Sequence, residues 1–132
     1  MWFQWKRTHE LIRLAVVSDV TATAGVSESD LSVLIQLDAA SGVSRQNALA
    51  AATGWDRTRL SHLLTRMEAR GYLTRRKSGP GMEVAISDAG RAALEAAQAP
   101  LHAAVERHLL SKLGAEDKAA LRTILHRLGG AE

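Results

Sequence analysis

Cysteine is absent from the 132 residues, which removes disulfide staples, thiolate metal sites and thiol redox sensing together. A reducing cytoplasm suits such a chain, and a cytoplasmic location is expected. Proline occurs only twice, so long helices can run with few interruptions. Long apolar runs are missing too. After the opening Met1-Trp2-Phe3-Gln4-Trp5-Lys6-Arg7, the run Leu14 to Val17 is far too short for a signal peptide or a membrane span. No membrane association is expected.

The ingredients of catalysis are also lacking. An enzyme needs a nucleophile with a base in reach, paired carboxylates, or a glycine loop that cradles phosphate. Ser61 and His62 are adjacent, so on a helix they point about 100° apart. Gly79-Pro80-Gly81 is too short to cradle phosphate and fits a tight turn. No internal repeat and no low-complexity linker is present, and a non-enzyme is expected.

What the chain has is a 46% apolar composition, rich in alanine and leucine and mostly at helical spacing. That supports one core, or a small domain whose flanking helices are completed by a second subunit. The net charge of +3 is unevenly spread: Ser41 to Met82 holds eight basic residues (Arg45, Arg57, Arg59, Arg66, Arg70, Arg75, Arg76, Lys77) against Asp56 and Glu68, so this stretch carries +6 and the remainder −3. A basic middle between mildly acidic ends suggests a surface that meets a polyanion.

The spacing predicts a first helix from Trp2 to about Thr23 with Gly25 as its stop, and a second from a Ser27 cap to about Ala40 along Leu31, Leu34, Ile35 and Asp38. A short third helix, capped by Ser44, closes at Gly54. Asp56 caps a fourth, which carries the stripe Leu60, Leu63, Leu64 and Met67 and stops at Gly71. Two helices joined by a tight glycine turn make a helix-turn-helix. Then the period becomes two, over Tyr72 to Lys77 and Met82 to Ile86 around a Ser78-Gly79-Pro80-Gly81 tip, which predicts a hairpin. Ser87-Asp88 opens a long helix through Leu94, Leu101, Val105, Leu109 and Leu110, with a bend at Pro100. A last helix covers Glu116 to Leu128.

Opposite the leucine stripe of the fourth helix stand Thr58, His62 and Thr65, flanked by Arg59, Ser61 and Arg66. Such a face offers short side chains that approach base edges and arginines for guanine or phosphate. An ordinary solvated face would mix Glu and Lys, whereas Glu68 is the one acid after the cap.

The run Thr53-Gly54-Trp55-Asp56-Arg57-Thr58-Arg59-Leu60-Ser61-His62-Leu63-Leu64-Thr65-Arg66-Met67-Glu68-Ala69-Arg70-Gly71-Tyr72-Leu73-Thr74-Arg75-Arg76 resembles the recognition helix and first wing strand of the bacterial MarR-family regulators. Ile86-Ser87-Asp88-Ala89-Gly90-Arg91 is similar to the signature that opens the family's fifth helix, and Leu31-Ser32-Val33-Leu34 falls where its second helix does. The resemblance implies a mostly α protein with a short β-hairpin wing. It would be a single winged helix-turn-helix domain, with residues 1–26 and 88–132 as dimerisation helices and 27–87 as the DNA-binding part. It implies a transcription regulator, most often a repressor, that binds a near-palindromic operator in double-stranded DNA as a homodimer without a cofactor.

Carried over by position, the resemblance makes Arg57, Thr58, Arg59, Ser61, His62, Thr65 and Arg66 candidate groove contacts. Ser44, Arg45 and Gln46 become candidate phosphate contacts, and Arg75, Arg76 and Lys77 fall at the base of the wing. The family's Asp-x-Arg wing tip is replaced here by Ser78-Gly79-Pro80-Gly81-Met82, which puts a minor-groove arginine in doubt unless Arg76 or Lys77 substitutes. Gly114 stands where relatives place a Ser or Thr cap. A winged-helix protein-interaction module is the alternative reading.

The dimer has independent support, because Trp2, Phe3 and Trp5 with Leu121, Ile124, Leu125 and Leu128 exceed what one thin helical layer can bury. Plain intrachain core is the competing account of these residues. His102 and Glu106 share a helical face but His108 does not, which argues against a metal site. His9 and Arg13, four apart, fall near where the family binds small aromatic acids, and they are the candidate effector residues.

Overall fold

The computed structural model describes residues 1–130. Helix α1 (Trp2–Ala24) ends at Gly25, which adopts the left-handed conformation (φ 69°) that an L side chain resists. Helix α2 (Glu28–Ala39) starts where the Ser27 hydroxyl accepts a hydrogen bond from the Asp30 amide at 3.1 Å. Its buried face is Asp30, Leu31, Val33, Leu34 and Leu37, while Ile35 and Asp38 turn outward. Leu31 and Leu34 of the expected stripe meet the core, but Val33 and Leu37 join them there in place of Ile35 and Asp38. Asp30, buried at 4% exposure, is paired with the Arg70 guanidinium at 3.0 Å.

Ser44 does not cap a helix. It lies within strand β1 (Val43–Arg45), which pairs antiparallel with β3 (Gly81–Ile86), and helix α3 (Gln46–Thr53) begins only after it. The hairpin is therefore part of a three-stranded sheet of order β1-β3-β2, with β2 at Leu73–Ser78. Three residues of period-two pattern are too few to stand out in a sequence, and the partner lies some 40 residues on.

Helix α4 (Arg57–Ala69) is capped by Asp56, whose carboxylate accepts from the Arg59 amide at 2.8 Å, and it buries Leu60, Leu63, Leu64 and Met67 as its stripe predicts. These join Leu34, Leu37, Leu49, Leu73 and Val84 in one core, each at 1% exposure or less apart from Leu63. Helix α5 (Asp88–His108), capped by Ser87, continues through Pro100 but stops before Leu109 and Leu110, which pass into a turn and the 3-10 segment Leu110–Lys112. Gly90 lets α5 meet the wing, because a Cβ there would overlap the Tyr72 carbonyl oxygen.

Helix α1 packs mainly on α5, whereas α6 (Ala115–Gly129) has no buried residue and barely touches the rest of the chain. None of the helices among the described residues is long and apolar enough to cross a membrane.

Candidate nucleic-acid interface

Capping by Asp56 fixes the start of α4, and burial of its leucines fixes its rotation. Thr58, Arg59, His62, Thr65 and Arg66 consequently line a shallow, open groove of about 780 Å³ on the outer face, together with Asp56. Ser61 is half-buried at the edge of a neighbouring concavity shared with Gln46, Arg57, Thr58 and His62. Gln46 and Arg57 meet Pro80, Gly81 and Met82 of the wing tip across a third depression. The start of α3, the outer face of α4 and the wing tip thus form one continuous surface.

Charge pairing divides the arginines on this surface. Arg70 is held by Asp30, Arg75 by Glu68 at 3.3 Å, and Arg76 by Glu83 at 2.8 Å across the β2–β3 ladder. Arg75 is further tied to the Thr65 hydroxyl at 2.9 Å, and its amide donates to Glu68 at 2.9 Å. Its side chain is only 15% exposed. Arg45, Arg57, Arg59, Arg66 and Lys77 form no ion pair with a carboxylate among the described residues. Sequence reasoning grouped Arg75 and Arg76 with these; the fold commits Arg75 to positioning β2 against α4 and Arg76 to its cross-strand partner.

Two contacts left no signal in the spacing. The Arg45 guanidinium donates to the Ser78 carbonyl at 2.8 Å, 33 residues away, so a cation from the start of α3 sits at the tip of the wing. Arg59 lies over the Trp55 ring, 4.7 Å from its centroid.

Comparisons with known proteins point the same way as this surface. Residues 24–81, from the end of α1 through the wing tip, match the sequence model of the MarR family. Over those residues the chain resembles the MarR family. Among solved structures it superimposes on AbsC, a MarR family transcriptional regulator from Streptomyces coelicolor, with TM-score 0.86 and 25% identity over 97% of this chain and 88% of that one. Sco3205, a MarR family regulator of the same organism solved in complex with DNA, gives 0.85 and 22% over 97% and 82%. CouR from Rhodococcus jostii RHA1, bound to p-coumaroyl-CoA, gives 0.82 and 22% over 97% and 90%. Comparison with curated proteins gives no match. MarR-family proteins are transcription regulators rather than enzymes, and the six helices and small antiparallel sheet seen here are their winged-helix fold.

The candidate effector residues lie at a separate cavity of about 410 Å³ lined by Trp5, Thr8, His9, Ile12, Arg13 and Val16 of α1, by Leu109, and by Leu121 and Leu125 of α6. His9 stacks on Trp5 with ring centroids 6.3 Å apart. Arg13 is already engaged by Glu10 at 2.7 Å and Glu28 at 2.6 Å. Its hydrogen bond to Glu10 and the charge of Glu28 push its pKa up, and the same bond holds the Glu10 carboxyl below its usual range. At the far end of α1, Asp19 accepts from Arg107 at 2.8 Å and lies 2.8 Å from His108 Nε2. The hydrogen bond with His108 is the main cause that holds the Asp19 carboxyl below its usual range.

Proposed function

We propose that this chain is a sequence-specific duplex DNA-binding transcription regulator, acting as a homodimer on a near-palindromic operator and, by the family's habit, as a repressor. The observation that carries the reading is the outer face of α4, where Arg57, Arg59 and Arg66 stand without carboxylate partners among the described residues, beside Thr58, His62 and Thr65. Cations left unneutralised by the fold are available to phosphates, and short polar groups between them can approach base edges. Ser44, Arg45 and Gln46 adjoin this face and supply further phosphate contacts. A repressor of this kind acts by excluding polymerase from the promoter.

The homodimer is supported by exposed apolar surface. Trp2 (66% exposed), Phe3 (83%), Leu11 (58%) and Leu14 (52%) of α1, with Ile124 (48%) and Leu128 (71%) of α6, would otherwise face water. Intrachain core does not account for them. A 15-residue helix with no buried residue is marginal in water, so α6 needs a second surface, and a second copy joins α1, α5 and α6 of both subunits. Two-fold symmetry then sets two α4 helices about 34 Å apart, one turn of DNA.

A small aromatic acid is the ligand we assign to the α1–α6 cavity, whose lining is largely apolar. The CouR structure holds p-coumaroyl-CoA. Because Glu10 and Glu28 occupy Arg13, His9 is the better partner for an acid's charge.

The test is binding of the purified protein to the DNA upstream of its own gene across a salt series. Each phosphate neutralised contributes a slope of about −0.9 in log K against log salt. Arg57→Ala and Arg66→Ala should each reduce that slope by about one. Binding indifferent to salt, sequence and both mutations would instead indicate a protein-interaction module.

A further inference from the structure

Of the three arginines on the outer face of α4, only Arg59 is held in place. Trp55 stands in the turn between α3 and α4, and part of its indole packs against the hydrophobic core. Its backbone amide donates to the Thr53 hydroxyl at 3.4 Å, which ties the turn back to α3. The ring is therefore a platform anchored from below, with the Arg59 guanidinium 4.7 Å from its centroid. Asp56, the nearest acid in sequence, is spent on the Arg59 amide and forms no ion pair with the guanidinium.

A guanidinium lying over a ring keeps its in-plane N–H donors at its edges, where two of them can point the same way. That geometry matches the paired O6 and N7 acceptors of guanine in the major groove, whereas a phosphate accepts a cation from many directions. Arg57 and Arg66 have no such platform. A side chain ordered before binding loses less freedom on binding.

We propose that Trp55 is a positioning residue for specificity: it presents the Arg59 guanidinium, already oriented, to a guanine, while Arg57 and Arg66 neutralise phosphates. This rests on the DNA-reading function proposed above.

The experiment uses a duplex selected by the wild-type protein from a randomised pool and a scrambled duplex of equal length. Both are titrated over a salt series with the wild type, Trp55→Phe, Trp55→Leu, Arg59→Ala and the double variant Trp55→Leu/Arg59→Ala. Thermal melting is recorded for each. Leucine keeps apolar bulk against the core but has no ring face; phenylalanine keeps both. Trp55→Leu should lose about three- to tenfold in affinity for the selected duplex. Its binding to the scrambled duplex and its salt slope should not change, because no charge is removed. Trp55→Phe should recover most of the loss, and the double variant should bind no more weakly than Arg59→Ala alone. Equal losses in Trp55→Phe and Trp55→Leu, or full addition of the two losses in the double variant, would overturn the proposal while leaving DNA binding intact. If the wild type selects no sequence, the proposal and the function beneath it fall together.

Discussion

Single side chains decide how the wing is held. Arg45 passes close over Gly81 to reach the Ser78 carbonyl, and a Cβ at residue 81 would sit 2.8 Å from its guanidinium nitrogen, so the side chain would have to shift. Gly81→Ala should displace Arg45 from the wing without removing its charge. We expect specific DNA affinity to fall by less than in Arg45→Ala, and the salt slope to drop by about one only in Arg45→Ala; the titrations described above separate the two. Gly90 is constrained more severely. Alanine gains about 1 kcal/mol in an open helix, but here its methyl group meets the Tyr72 carbonyl, and a net loss of about 2 kcal/mol is expected in denaturant unfolding. Arg70→Ala strips the buried Asp30 of its partner. The guanidinium is half exposed, which tempers the cost to about 1–2 kcal/mol.

Among the elements, α4 was the most legible in the sequence and β1 the least. The Asp56 cap, the leucine stripe and Gly71 are local signals, and each falls within one or two turns of the helix it defines. Once the stripe is buried, the polar face follows from helical geometry alone, which is why Thr58, Arg59, His62, Thr65 and Arg66 reach one groove as expected. Strand β1 has no local signature, and its place is set by pairing with Glu83 to Ala85. The same long-range register separates the wing arginines, because Arg76 stands directly opposite Glu83 and Arg75 falls beside α4. Arg76→Ala should therefore change the salt slope for DNA less than Arg66→Ala does, a contrast a side-by-side titration will read.

At the scale of the whole molecule, α1 is clasped to α5 by Asp19, Arg107 and His108, and its apolar side faces outward. Asp19 has a depressed pKa in the folded chain. Its contribution is therefore present above the unfolded carboxylate value of about 4 and is lost as pH falls through the lower folded value. Melting temperatures of wild type and Asp19→Asn should differ modestly near neutrality and converge in acid. If the proposed homodimer forms through this side, placing a charge in it by Phe3→Glu or Leu128→Glu should shift the species seen by light scattering from dimer to monomer, and affinity for the selected duplex should fall with it. By itself the sequence determined the main helices, the caps at Ser27, Asp56 and Ser87, the β2–β3 hairpin and the cationic face of α4, because each is encoded within a few residues of itself. Only the tertiary structure decided which arginines remain unpaired, that Arg45 reaches the wing tip, that Trp55 carries Arg59, and that α6 is left bare. Those outcomes depend on pairings between residues distant in the chain, and no local spacing records them.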